Sequence, residues 1–332
     1  MNRPSVRLDH LVRLTDSTGI LEHATGRLPN RKEGYSTDDQ ARALWACLEW
    51  MDVGEDMQAD AGASGDSDSD ADRSPDVELL DRLAETYVAF MQWAQQQDGR
   101  FHNDYAYDRS EEAGTPSDDC LGRCLWACAN VVVRRPEARY AFAAEEILHR
   151  AMEPAVKIRS PRGTAYALAA CGLLARAGFG PDMRASIRSM AEHLASAYHE
   201  ASSSDWHWYE PVLTYSNALL PWGMFWAYEI ERRPEWLEIA RASLDFLIGR
   251  STSESGHIRP VGNRGWCTAD YRAAWDQQPI DVMKLALASL KAYEVTGEEA
   301  YGDVAAKCRE WFWGVNDLGA VMVDERDGSC SD

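Results

Sequence analysis

The sequence predicts an all-α protein, and three features point to this class. Read with a period of 3.6 residues, almost all of the 332-residue chain falls into segments of helical length with regular apolar positions. The alternating pattern of half-buried strands is almost absent. With 45% hydrophobic residues and 13 Trp, the chain also has enough apolar side chains for a packed core, which excludes disorder for most of its length.

Eleven helices are predicted, and ten of them belong to two alternating types. The eleven segments are 5–15, 37–53, 76–96, 117–134, 136–157, 163–179, 181–201, 214–231, 234–250, 279–296 and 298–314. From 37–53 onward, every first segment is apolar nearly all round and rich in small residues, and every second one carries a charged face. Helices that are apolar all round are buried on every side, whereas amphipathic helices lie outside them. The alternation therefore predicts an inner ring of helices surrounded by an outer ring.

The predicted loops differ in length in a matching way. Inner-to-outer connections are mostly short, and Pro136, Pro181 and Pro234 begin or closely precede the next helix. Outer-to-inner connections are mostly long and rich in Trp, Tyr, His, Asp and Gly. The long ones are 16–37, 97–117, 202–216 and 251–279. Because the inner helices run parallel, we expect these loops to gather at one end of the ring and to form the functional face.

One segment departs from this pattern. Residues 54–75 are small, polar and acidic, a composition that cannot bury a core. We expect them to form a disordered acidic insertion on the opposite face, without a catalytic role. The remainder is expected to form a single domain over residues 1–332.

Charge and composition exclude several classes of partner. With 34 Lys+Arg against 54 Asp+Glu, the formal net charge is −20, which opposes binding to nucleic acid and to anionic membranes. The N-terminus has no apolar run typical of a signal peptide, and the longest uncharged stretch, 211–228, contains Pro, Thr, Ser and Asn. Most of the eight Cys lie within apolar helical stretches. A reduced, soluble, cytoplasmic protein is expected.

No metal or cofactor is predicted. Cys120, Cys124 and Cys128 are spaced i, i+4, i+8 on a helix that is rich in small residues, a pattern that favours close helix packing over metal binding. The loop histidines do not form a spaced ligand pair. Phosphate-binding loops, dinucleotide-binding glycine patterns and nucleophile elbows are absent from the sequence.

Two segments carry a resemblance to a known family. Residues 16–24 and 30–44 resemble a bacterial and archaeal group of the six-hairpin glycosidase superfamily, which has an (α/α)6 toroid fold and is found with, or fused behind, glycosyltransferases. The resemblance implies a toroid, a sugar or oligosaccharide substrate and a glycosyltransferase as partner. It assigns no catalytic residue. A full toroid has twelve helices, so the last inner helix is expected to be missing.

Glycosidic cleavage needs a protonated carboxylic acid beside the leaving oxygen and a second carboxylate that activates water or attacks carbon. Glu210 is the most suggestive candidate, because three aromatic residues precede it and could bury its carboxyl group and raise its pKa. The alternative is a loop whose Trp residues close one end of the ring, with Glu210 paired to an arginine. Asp39, Asp119 and Asp276 compete for the role of base, and the sequence does not rank them.

The candidate substrate-binding residues share a position in the loops or at the starts of inner helices. Aromatic rings there can pack on the C–H faces of sugars, and planar polar groups can pair with hydroxyls or with acidic substituents. For the Asp and Asn residues, helix capping is the alternative role. The candidates are Tyr35, Asp38, Tyr105, Asp118, Arg162, Trp206, His207, Trp208, Asn217, Arg264, Trp266 and Asp281.

Three functional hypotheses follow. The leading one is a carbohydrate-active enzyme, a glycoside hydrolase that uses two loop carboxylates in a pocket at one end of the toroid. The second is a sugar epimerase or isomerase of similar fold, in which His207 and His257 are available for proton transfer. The third is a non-catalytic domain that binds glycans or assists a glycosyltransferase.

Overall fold

The computed structural model describes residues 7–64, 76–114 and 116–331, and in these ranges it is helical with very little strand. Its eleven helices are α1 Asp9–Leu14, α2 Thr37–Ser64, α3 Val77–Ala94, α4 Asp118–Arg134, α5 Ala141–Ala155, α6 Pro161–Ala177, α7 Arg184–Ala201, α8 Leu219–Glu231, α9 Pro234–Arg250, α10 Pro279–Thr296 and α11 Glu299–Phe312. Six two-residue strands accompany them, namely β1 Ala24–Thr25, β2 Leu28–Pro29, β3 Tyr35–Ser36, β4 Asp104–Tyr105, β5 Val323–Asp324 and β6 Ser329–Cys330. The prediction of an all-α fold is confirmed.

Each predicted helix coincides with one observed helix, although some ends differ. Helix α8 begins at Leu219 instead of 214, because the Asn217 side chain closes the preceding turn. Its Oδ1 accepts from the Thr214 N–H at 2.9 Å, and its Nδ2 donates to the Thr214 carbonyl at 2.7 Å. Helix α2 continues to Ser64, beyond its predicted end at 53. It thus overlaps the first part of the segment 54–75, for which disorder is predicted, while 65–75 lie outside the described residues. After α11, the described residues up to 331 contain no further helix.

The chain divides into two compact units. The first comprises Met1–Lys157 and Asp324–Ser329, and the second comprises Ile158–Val323 and Cys330–Asp332. The single-domain organisation stays a prediction.

In the first unit, α2 and α4 pack on each other and on the outer helices α3 and α5. Every residue of α4 from Asp119 to Val132 is buried, as the all-round apolar pattern predicts. Helix α3 instead buries one face, which carries Leu80, Tyr87 and Met91. Strand β3 pairs antiparallel with β4, and this pairing positions the start of α2.

In the second unit, α8 packs between α6 and α10, and α7, α9 and α11 pack on these three helices from outside. Helices α6 and α8 approach each other closely at Gly223, where an added Cβ would lie 3.0 Å from the Ala165 Cα. The alternation of buried and amphipathic helices is thus present in both units. Among the described residues, no helix combines the length and the apolar character needed to cross a bilayer.

Candidate functional site

The second unit contains a buried arginine, Arg162, that binds the carboxylate of Glu210 in a loop. Arg162 is the second residue of α6, which begins at Pro161 and is capped by the Ser160 hydroxyl. Its side chain is 5% exposed, and its Nη1 donates to Glu210 Oε1 at 3.0 Å while its Nη2 lies 2.9 Å from Oε2. Oε1 thus accepts a charge-assisted hydrogen bond, and Oε2 lies within ion-pair distance of the same guanidinium.

The same guanidinium also donates hydrogen bonds to the turn before α8. Its Nε donates to the Tyr215 carbonyl at 2.6 Å, and Nη2 donates to the Thr214 hydroxyl at 2.7 Å. The Tyr215 ring lies over the guanidinium, 4.6 Å from its carbon to the ring centroid, and Tyr215 is 41% exposed. Arg162 therefore organises Glu210, the turn that includes Asn217, and an aromatic ring that faces solvent.

The aromatic residues before Glu210 form a support beneath it. Trp206 and Trp208 are 5% and 0% exposed, so they present almost no ring face to solvent, and Trp206 Nε1 donates to the Glu210 carbonyl at 2.8 Å. The Glu210 side chain itself remains 26% exposed and faces Arg162. This arrangement corresponds to the alternative in which Glu210 pairs with an arginine. His207 is exposed, with its ring 6.2 Å from that of Phe246.

Asp281, in the first turn of α10, is a buried carboxyl group beside this turn. Burial raises its pKa to about 7, although the N–H groups of Ser216 and Asn217 and the charges of Arg162 and Lys284 act in the opposite direction. Asp281 was predicted from its helix-start position, but Lys284 was missed. Lys284 is 1% exposed, and its Nζ lies 5.0 Å from the centroid of the Tyr166 ring. A lysine between the apolar Met283 and Leu285 of an inner helix was the signal for it.

A cavity of about 450 Å³ lies in the same unit. Its lining combines amides, carboxylates and apolar side chains, namely Asn263, Trp275, Asp276, Gln277, Gln278, Trp311, Asn316, Asp317, Leu318 and Met322. Asp276 accepts from Arg264 Nε at 3.0 Å, and both side chains are mostly exposed. Trp266 is half-buried in the same loop.

His257 is hydrogen-bonded to Asp317, which is one of the residues that line this cavity. Its Nε2 is hydrogen-bonded to Asp317 Oδ1 at 2.7 Å, while Arg259 Nε lies 2.7 Å from Oδ2 and Gln277 Nε2 donates to Oδ2 at 2.7 Å. Burial acts to raise the pKa of Asp317, but the hydrogen bonds from His257 and Gln277 and the charge of Arg259 lower it. The carboxylate is therefore ionised at neutral pH.

The first unit holds a separate cluster of carboxylates and arginines at the start of α2. Asp39 accepts from Arg42 Nη1 at 2.5 Å and from the Ser36 hydroxyl at 2.9 Å. Asp38 accepts from Arg123, a buried residue of α4, and Arg123 Nη2 also lies 3.7 Å from Asp119 Oδ2. Both α2 carboxylates are thus engaged by guanidinium groups.

The other predicted residues of the first unit lie close to this cluster in the chain. Ser117 caps α4 by accepting from the Cys120 N–H, so neither adjacent acid is needed as the cap. Asp118 instead accepts from Arg100 Nη1 at 3.0 Å. Tyr35 and Tyr105 face each other across the β3–β4 pair, and both are 2% exposed. These two rings are core residues, with little surface for a substrate.

The four predicted catalytic carboxylates share one property, which is a neighbouring arginine. The pairs are Asp39 with Arg42, Asp119 with Arg123, Glu210 with Arg162, and Asp276 with Arg264. The structure brings Glu210, Arg162, Asn217 and Asp281 together in the second unit, and Asp38, Asp39 and Asp119 together in the first. Within the described residues, no group of three His, Cys, Asp or Glu side chains is arranged to hold a metal ion.

No family model matches the chain, and no curated protein matches it by sequence. Solved structures do match it. A cellobiose 2-epimerase from Bacillus thermoamylovorans B4167 gives a TM-score of 0.69 at 10% identity, over 98% of this chain and 87% of that chain. A sugar epimerase from a ruminal bacterium gives 0.67 at 10% identity, over 97% and 85%. The GH76 α-mannanase of Bacteroides thetaiotaomicron gives 0.56 at 8% identity, over 90% and 80%.

The chain has the (α/α)6 toroid fold. The toroid fold that the resemblance implies is thereby confirmed. Identities near 10% show the fold alone.

Proposed function

We propose that the protein is a carbohydrate-active enzyme, a glycoside hydrolase in which Glu210 is one of the two acting carboxyl groups. The observation that carries the proposal is the two-point contact of Glu210 with the buried Arg162. The contact fixes the position of the carboxylate, and the Glu210 side chain keeps 26% of its surface exposed although its Oε2 is buried. The matching folds of sugar epimerases and a mannanase support a sugar substrate.

The surroundings of Glu210 suit a sugar. The exposed Tyr215 ring offers an apolar face to sugar C–H groups, and the Thr214 hydroxyl lies beside it on the same guanidinium. Because Arg162 is bonded to both this turn and Glu210, substrate held by the turn would lie at a fixed distance from the carboxylate. Fixed orientation of this kind is a major source of catalytic rate.

Cleavage needs a second carboxyl group on the other side of the scissile bond. Asp276 is the candidate in the same unit as Glu210. Its loop is joined to the Glu210 loop by mutual backbone hydrogen bonds between Leu213 and Cys267, at 2.8 and 3.1 Å. In the reaction, one carboxylic acid gives its proton to the glycosidic oxygen, and the other carboxylate activates water or forms a glycosyl-enzyme.

The test is Glu210→Gln, assayed for release of reducing sugar from neutral gluco- and manno-oligosaccharides. Loss of a carboxyl group that transfers protons is expected to lower the rate by about 10²–10⁴-fold. Glu192→Gln is the matched control, because Glu192 also accepts from an arginine, Arg233, but lies on the outer helix α7 with a side chain that is 60% exposed. Full activity in Glu210→Gln would remove Glu210 from the mechanism. Binding of oligosaccharide without turnover would favour a binding domain instead.

A sugar epimerase or isomerase is the second candidate, and one observation favours it. His257, hydrogen-bonded to Asp317, is then the preferred proton-transfer group, ahead of the exposed His207. Incubation with cellobiose in D2O separates the two reactions. Epimerisation by proton transfer introduces deuterium on a sugar carbon without chain cleavage, whereas hydrolysis creates a new reducing end.

A further inference from the structure

The second unit contains a cavity whose lining does not include Glu210. The 450 Å³ cavity is bounded by residues of the segments 263–278 and 311–322, and its volume lies in the range of about 300–1,000 Å³ found for small-molecule sites. We propose that this cavity binds one neutral sugar unit of an oligosaccharide whose neighbouring unit lies at Glu210. The inference rests on the proposed function, and it specifies an uncharged chain of at least two sugars as substrate.

The lining has the two kinds of group that a sugar ring requires. Trp275 is 44% exposed and offers an indole face, and the apolar Leu318 and Met322 also line the cavity. Asn263 and Gln278 contribute carboxamides that can both donate to and accept from hydroxyls. Gln278 occupies the N-cap position of α10, yet its side chain makes no capping hydrogen bond. Its amide is therefore available to a ligand without loss of a helix cap.

The chain connects this cavity to Glu210 in two places. Leu213, three residues after Glu210, exchanges backbone hydrogen bonds with Cys267 in the loop that leads to Trp275. Beyond the cavity, Asp281 follows Gln278 by three residues and lies beside the N–H groups of Ser216 and Asn217. The cavity lining is thus tied on both sides to the turn that Arg162 holds. These links make the cavity the candidate place for the sugar unit next to the one at Glu210.

The charge of the lining selects against anionic sugars. The charged residues that line the cavity are Asp276 and Asp317, both acidic. Their cationic partners, Arg264, His257 and Arg259, are engaged with these carboxylates and do not line the cavity. A uronate or a sugar phosphate would therefore find no cationic group in the lining to pair with, and an unpaired charge in a cavity disfavours binding. Uncharged sugars can instead donate hydroxyl hydrogen bonds to the same carboxylates.

The experiment measures binding by isothermal titration to the full chain. The probes are cellotriose and mannotriose as neutral chains, and trigalacturonate as an anionic chain of similar size. Trp275→Ala and Gln278→Ala are each expected to weaken binding of the preferred neutral trisaccharide, Trp275→Ala by roughly tenfold because an exposed indole face is lost. Phe142→Ala is the matched control. It removes a 74% exposed ring from the outer helix α5 and should leave affinity unchanged.

Three results would overturn the cavity proposal. They are wild-type affinity in both Trp275→Ala and Gln278→Ala, tighter binding of trigalacturonate than of the neutral chains, and binding of neither neutral trisaccharide. Its failure is separable from failure of the proposed function, which depends on turnover in Glu210→Gln. If Glu210→Gln keeps full activity while the two cavity variants lose affinity, the reaction assigned to Glu210 is wrong and the sugar site stands.

Discussion

Arg162 and Glu210 are 48 residues apart in the chain and form a two-point contact, with Nη1 3.0 Å from Oε1 and Nη2 2.9 Å from Oε2. Only a planar guanidinium can hold the carboxylate in this way and also donate to the Tyr215 carbonyl and the Thr214 hydroxyl. This single side chain therefore joins the start of α6 to the loop that precedes α8.

The first prediction concerns substitution of this arginine. Arg162→Met removes the charge and every hydrogen bond while keeping much of the apolar stem. It is expected to destabilise the protein by about 3 kcal/mol, because a carboxylate and a carbonyl lose their partner at a largely buried site. Arg162→Lys keeps the charge but loses the two-point contact, so we expect it to lower kcat more than it raises KM.

Urea unfolding and steady-state kinetics check both variants. Arg233→Lys is the matched control, since Arg233 also pairs with a glutamate but is 43% exposed on the outer surface of the same unit. Equal stability of Arg162→Met and the wild type would contradict the structural role assigned to Arg162.

A second prediction uses the buried carboxyl of Asp281. Its pKa is raised from 3.8 to about 7 in the folded state, so between about pH 4 and pH 7 the folded protein binds the proton more strongly than the unfolded chain does. The contribution of Asp281 to stability is therefore present at low pH and is lost as the pH rises through this window. The expected slope is at most roughly 1.4 kcal/mol per pH unit.

Asp281→Asn mimics the protonated form and removes this titration. Relative to the wild type, the Asn variant is expected to gain stability on going from pH 5 to pH 8, as measured by urea unfolding at both values. Groups that titrate elsewhere contribute equally to the two proteins and cancel. A stability difference that is the same at both pH values would show that the Asp281 carboxyl is not held protonated by the fold.

Much of the fold, and less of the site, could be predicted from the sequence. The spacing of apolar residues predicted the eleven helices that the described residues form. A helix that buries one face carries apolar residues at regular intervals in its sequence. The start of α8 was misplaced, since it depends on a side chain of Asn217 bonding to the backbone of Thr214. The pairing of Glu210 with Arg162 could be offered only as one alternative, because no local pattern encodes a contact across 48 residues. Burial of Asp281 beside the Thr214–Asn217 turn likewise arises from tertiary packing.

A third prediction tests the packing of the cysteines. Seven of the eight Cys are buried, and Cys330 is exposed. Burial raises the pKa of four of them to about 12, namely Cys47, Cys128, Cys171 and Cys308. A buried thiol with a high pKa is neither accessible nor ionised. We therefore expect Ellman's reagent at pH 8 to modify one thiol in the native protein and eight after unfolding. Rapid modification of several native thiols would contradict the buried positions of the inner-helix cysteines.

The last prediction compares two helix glycines of the second unit. At Gly223, in α8, an added Cβ would lie 3.0 Å from the Ala165 Cα and 3.1 Å from its Cβ, whereas at Gly249, in α9, it would meet nothing within 4 Å. Alanine is the better helix former by about 1 kcal/mol at an interior position and by less near a helix end, where Gly249 lies, so Gly249→Ala is expected to raise the melting temperature slightly. At Gly223 the same gain is opposed by overpacking of about 1–3 kcal/mol against the neighbouring helix. Gly223→Ala should therefore lower the melting temperature, and an equal rise in both variants would mean that α6 and α8 are not in close contact.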